Sequence, residues 1–144
     1  MATFNSLQMT PPTYPVSGPT GDGRSVQSAR GEFNLGVQSA GAAASGDVVR
    51  MFRVHRNFRV KTGFMKWDAL GASVTISLGD AGDATRYFPA TSAATAGQLA
   101  ALDVKGRDFN NAGFTTVILT IGGATTSATG QIIASLDGVI ENPA

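Results

Sequence analysis

The chain has 144 residues, no cysteine and one histidine, and its 11 basic and 10 acidic residues leave a formal charge of +1. That length supports one domain with a real core, while the missing cysteines exclude a disulfide framework, a Cys-based zinc site and thiol catalysis. Charged residues make up 15% of the chain against a usual ~25%, and small and hydroxyl residues (18 Gly, 21 Ala, 15 Thr, 11 Ser) take their place. Such a composition argues against a coiled coil, a helical bundle or a highly charged tail, and for strands joined by Gly-rich turns.

Met1–Ser6 carries neither a basic nor an apolar leader region, so no signal peptide is expected, and no apolar run approaches the ~18 residues of a membrane span. Residues 1–24 form a segment of their own, holding Pro11, Pro12, Pro15 and Pro19 with Gly18, Gly21 and Gly23. Prolines at that density exclude helix and central strand. Two readings stand: a disordered leader, or an extended arm whose Phe4, Leu7, Met9, Tyr14 and Val16 order against a neighbouring subunit. The rest, 25–144, reads as a β-sandwich domain.

Period-2 alternation organises that second part. In Glu32–Val37, Phe33, Leu35 and Val37 share one face. In Asp47–Val54, Val48, Arg50, Phe52 and Val54 face one side and Val49, Met51 and Arg53 the other, which suggests a strand covered on both sides or placed at an interface. Arg59–Trp67 continues as strand with a bulge or bend at Thr62-Gly63. Ser73–Leu78 puts Val74, Ile76 and Leu78 inside. Ala90–Leu102 is Ala-rich with Ala96, Leu99 and Ala100 at helical offsets, and is expected as one short helix or an ordered loop. Phe114–Ile121 and Gly130–Leu136 are the last β-rich runs, with Gly122-Gly123 as a hairpin turn between them. Together these predict an all-β fold, an antiparallel β-sandwich or jelly-roll-like domain with an extended N-terminal arm and at most one short helix.

Catalytic patterns are missing from this sequence. His55 stands alone among Arg53, Arg56 and Arg59, where positive neighbours disfavour its protonation, and it reads as structural or interfacial. Asp80 and Asp83 could offer two oxygens to calcium, but the further ligands and the downstream Glu of an EF-hand are lacking. The simpler expectation is a tight Asp/Gly turn with Arg86 paired to one carboxylate. Asp103 and Asp108 show no organised pairing with these acids, so neither an enzyme nor a cofactor is expected.

Charge is distributed unevenly. Arg50, Arg53, Arg56, Arg59, Lys61 and Lys66 lie between Asp47 and Asp68 without an acid among them, interleaved with Phe52, Phe58, Phe64 and Trp67. A single-strand nucleic-acid platform uses such residues. Strict alternation, however, splits the bases between two faces. The preferred expectation is that the arginines meet carboxylates of neighbouring strands or subunits, and that the aromatics are core.

The run Val48-Val49-Arg50-Met51-Phe52-Arg53-Val54, followed by Leu70-Gly71-Ala72-Ser73 and then Ser77-Leu78-Gly79-Asp80-Ala81-Gly82-Asp83-Ala84-Thr85-Arg86-Tyr87-Phe88, resembles small virion structural proteins of tailed bacteriophages. The resemblance covers roughly residues 47–100, and the flanks match in character more than in motif. It implies a capsid decoration (cement) protein, commonly a homotrimer, seated on major capsid protein at the capsid surface, with no catalytic residue. On this reading Phe4, Leu7, Met9, Tyr14 and Val16 of the arm and Arg50, Arg53, Arg56 and Arg59 bind the partner. A tail or adsorption protein of the virion, and a nucleic-acid-binding barrel using residues 50–67, are the alternatives. No membrane partner is implied, and direct nucleic-acid binding is disfavoured.

Overall fold

Alternating apolar and polar residues can bury one face of a strand only by stacking it on another sheet, and the described residues form ten strands in two such sheets. The computed structural model describes residues 2–6, 9, 26–39 and 41–140. The strands are β1 (Thr3–Asn5), β2 (Val26–Leu35), β3 (Val48–Val54), β4 (Phe58–Trp67), β5 (Thr75–Gly79), β6 (Phe88–Ser92), β7 (Gly97–Leu99), β8 (Asn110–Asn111), β9 (Thr115–Gly122) and β10 (Gly130–Ile140). Sheet A has the order β1-β3-β9-β5-β6; sheet B has the order β2-β10-β4-β7, with β8 also paired to β4. All pairs are antiparallel except β1–β3, which is parallel. This is the all-β sandwich expected from the alternation.

The core lies between the sheets. Val49, Leu119, Ile121 and Leu78 of sheet A and Phe33, Val60, Met65 and Ile132 of sheet B are fully buried there. Ser73–Leu78 buries Val74, Ile76 and Leu78 at 0% exposure as the alternation predicts, but Ser77, expected outside with Thr75, is buried as well. Burying side chains of this size contributes about 1.5–3 kcal/mol each, which is what offsets the ordering of so many glycines and threonines.

Several expectations need correction. Val37 does not face the core; β2 ends at Leu35, Gly36 turns the chain at φ 84, and Val37 is 74% exposed. Ala90–Leu102 contains no helix, because tertiary contacts override its alanine-rich propensity. Its β7 portion pairs with β4 and lies under Trp67: the indole Nε1 donates to the Thr95 carbonyl at 2.9 Å, and a Cβ at Gly97 would come within 2.8 Å of the ring. Gly122-Gly123 is not a hairpin turn either, since β9 belongs to sheet A and β10 to sheet B. The bulge foreseen at Thr62-Gly63 is real but falls one residue earlier. Asp137 pairs with Thr62 and Gly138 with Val60, so Lys61 is the extra residue.

Candidate interaction surface

The expected arm begins as a strand of the domain itself. Thr3, Phe4 and Asn5 pair in parallel with Val48, Val49 and Arg50. The Ser6 amide donates to the Arg50 carbonyl at 2.9 Å, and the Ala2 amide donates to Asp47 Oδ1 at 2.7 Å. Asp47 accepts the Ala44 amide as well, and these two backbone donors hold its carboxyl below the usual carboxylate range. Phe4 packs on Phe33 of β2, with ring centroids 5.9 Å apart, and Met9 is buried. Of the five apolar arm residues, Phe4 and Met9 are therefore engaged within their own subunit. Leu7, Tyr14 and Val16, like most of 1–24, lie outside the described residues.

In β3 an irregularity reverses the parity argument. Arg50 pairs with Ile118 and Phe52 with Val117, so Met51 is an extra residue, a β-bulge. Both Met51 and Phe52 are buried as a result, while Arg50 and Arg53 point to the same outer face. Strict alternation had put them on opposite faces. Across that face of sheet A the register sets Arg50 beside Asn5 and Ile118, Arg53 beside Thr116, and Val48 beside Thr3 and Thr120. Ser77 and Gly79 continue these rows on β5. Phe114, just before β9, shares the parity of Thr116, Ile118 and Thr120 and is 53% exposed. The Arg53 guanidinium lies 5.7 Å from its ring centroid, and the His55 ring meets it edge-on at 4.8 Å. Phe114 was not singled out as a site residue, although its parity with the outward threonines was the signal available.

The other expected cations have different surroundings. Arg59 Nη1 donates to the Asp108 carbonyl at 2.8 Å, and Lys61 pairs with the Asp108 carboxylate at 2.5 Å, which lowers that acid's pKa. Arg56 is exposed in the turn after β3. Among the described residues no carboxylate meets Arg50, Arg53 or Arg56. The aromatics invoked for base stacking are mostly occupied: Phe52, Phe58 and Trp67 are buried, leaving Phe64 half-buried on the outside of sheet B.

Beyond β5, the Asp/Gly turn forms as its residues predict. Asp80 Oδ1 accepts the amides of Gly82 and Asp83, and Arg86 grips the same carboxylate through Nε at 2.7 Å and Nη2 at 3.3 Å. The guanidinium also stacks on Phe109, 3.9 Å from its centroid. Asp83 is held down at about 2 by the Thr85 amide first and the Lys105 ammonium second. The turn folds back over Gly79, where a side chain would collide with the Asp83 carbonyl. It thereby walls a cleft of about 300 Å³ with Phe109, Asn111, Gly113 and Thr115, at the Phe114 end of sheet A. Beneath it the buried Tyr87 hydroxyl and Asn111 Oδ1 make no hydrogen bond of good geometry among the described residues, and burial pushes Tyr87 up to about 12. No group of three or more His, Asp or Glu able to hold a metal occurs among the described residues, nor a helix long and apolar enough to cross a membrane.

The outside of sheet B is built differently. Glu32 Oε1 accepts from Gln131 at 2.7 Å and from Asn34 at 3.3 Å, and Arg30 approaches Glu32 at 3.9 Å. Ile133 sits in register between Glu32 and Lys66. This is an ordinary solvated face that carries charges of both signs, Arg30 and Lys66 with Glu32 and Asp137.

No protein-family model matches the chain, and no curated protein matches it. Solved structures share its fold. A chain in the capsid of Ralstonia phage GP4 superposes with a TM-score of 0.75 at 16% identity, covering 99% of this chain and 100% of that one. A chain in the capsid asymmetric unit of cyanophage Pam1 gives 0.67 at 21% identity over 91% and 96% of the two chains. One in the acid-stable capsid of Helicobacter pylori bacteriophage KHP30 gives 0.56 at 14% over 84% and 96%. At these identities the likeness is one of fold.

Proposed function

We propose that this chain is a virion structural protein that decorates a phage capsid and stabilises it by binding major capsid protein, as a homotrimer on the capsid surface. The observation that carries the reading is the superposition on whole chains of three phage capsid structures, end to end in the best-covered case. Matching a complete chain, and not one domain of a larger one, fits a small component of a shell. The low charge and the arginine-bearing face support it, since a surface short of charge suits burial against neighbours. The role is mechanical: contacts spread across subunit junctions resist their separation, with no catalytic step.

Purified virions of the phage encoding this chain test it directly. The expected result is the chain in DNA-filled particles, in stoichiometric amount and labelled from outside by a membrane-impermeant amine reagent. Its absence from such particles overturns the reading. Sedimentation equilibrium of the purified chain should give three times 14.8 kDa, and a monomer mass removes the trimer.

A further inference from the structure

We propose that the outer face of sheet A is the docking face, and that it takes a carboxylate-bearing surface of a different protein chain. The inference rests on the capsid reading, in which that chain is the shell. Three features of the face carry it.

The first is its charge. Over β1, β3 and β9 the outward positions are Thr, Asn, Val, Ile and Gly, the only charges among them are Arg50 and Arg53, and the face ends at β5, where Ser77 and Gly79 are buried. A solvated sheet face alternates apolar-in with polar-out and carries both signs of charge, as the outside of sheet B does. A row of small, uncharged side chains with two cations is instead the composition of an interface core, where Arg and aromatics are enriched and Lys and acids depleted.

The second is the anchor. Phe114 is held between Arg53 and His55, half in the open. A ring already fixed by a cation–π contact loses little freedom when covered, and Phe and Arg side by side make the sort of cluster that dominates binding energy.

The third is what the face cannot pair with. In an isologous contact with a second copy, Arg50 and Arg53 would meet Arg50 and Arg53, like charges in a desolvated patch. Among the described residues, a heterologous contact with a copy finds few acids to use: Asp47, Asp68, Asp80, Asp83, Asp103, Asp108 and Glu32 already hold donors of their own subunit, leaving Asp137. A nucleic-acid platform stacks successive bases on several rings, and with Phe52, Phe58 and Trp67 buried this face offers Phe114 alone. A foreign protein surface supplying carboxylates is the remaining complement.

The test uses the full chain and shells prepared without it, with affinity measured by co-sedimentation. Arg50→Glu with Arg53→Glu should weaken binding by about 100-fold or more, and Phe114→Ala by about 10-fold, while Lys66→Glu on sheet B leaves it unchanged. The substituted side chains are all at least partly exposed, and unaltered circular dichroism confirms that the variants fold. Wild-type binding with no loss in the double reversal overturns the docking face and leaves the capsid reading standing. Shells that fail to bind the wild-type chain overturn both. If the double reversal dissolves self-association of the chain alone, the occupant is a second copy; if it abolishes binding of a thirty-residue oligothymidine, the occupant is nucleic acid. Either result overturns the proposal.

Discussion

The cations at the Asp80 turn and those on the outside of sheet A are made of the same residues and do opposite things. Arg86 is 19% exposed, grips a buried carboxylate with two nitrogens and lies on an aromatic ring; Lys105 and Lys61 likewise meet Asp83 and Asp108. Arg50 and Arg53 meet no carboxylate of their own subunit among the described residues. The paired set fixes a loop to the sandwich. The unpaired set leaves the sandwich indifferent to it and is available to something else. A cation's role here follows from whether its own fold has already supplied the anion.

That contrast can be broken at its strong end first. Arg86→Ala should lower stability by about 3 kcal/mol in urea unfolding, because it leaves the Asp80 carboxylate buried without its counter-ion. Arg86→Lys should lose less, keeping the charge but not the forked geometry. No loss in either variant would make the paired set ornamental and erase the distinction.

Acid should act on the paired set next, and more gently. Asp83 sits at about 2, and Asp47 and Asp108 lie below their ordinary 3.8. A carboxyl whose folded pKa is depressed contributes stability that is complete above about 3.8 and is lost as pH falls toward about 2. The melting temperature should therefore hold between pH 7 and 5 and fall from about pH 4 to pH 2. Asp83→Asn should start lower at pH 7 and fall less on acidification. A wild-type curve flat to pH 2 would show that these contacts stabilise nothing. The smallest effect belongs to the unpaired set: Arg50→Ala with Arg53→Ala should change unfolding free energy by no more than about 0.5 kcal/mol, as exposed substitutions do. A loss above about 1 kcal/mol would mean the face is part of the fold.

Much of this contrast was legible in the sequence, though unevenly. The Asp80–Asp83 turn and its Arg86 partner followed from spacing, since three consecutive constraints (turn, carboxylate, nearby guanidinium) are all local. Alternation placed Val74, Ile76 and Leu78 for the same reason. The bulge at Met51 was hidden because either register of Val48–Val54 buries apolar side chains, so the pattern could not say where one residue is skipped. With it went the co-facial position of Arg50 and Arg53. The Gly122-Gly123 connection and the segment 90–102 failed for another reason. Both depend on which sheet the chain enters next, and in the latter on Trp67, distant in sequence, reaching over Gly97.

Chain order and space diverge most sharply in β10, the last of the described strands in sequence, which lies inside sheet B between β2 and β4. Among the described strands, only β5 and β6 are consecutive in the chain and paired with each other. A ribosome making this protein exposes β2 and β4 long before the strand that joins them exists, so both wait with open edges. Sheet B can close only once β10 has emerged, which makes folding a late and slow event governed by loop closure. A nascent chain that ends before Gly130 leaves the β2 edge unpaired, and unpaired edges are templates for association with other chains.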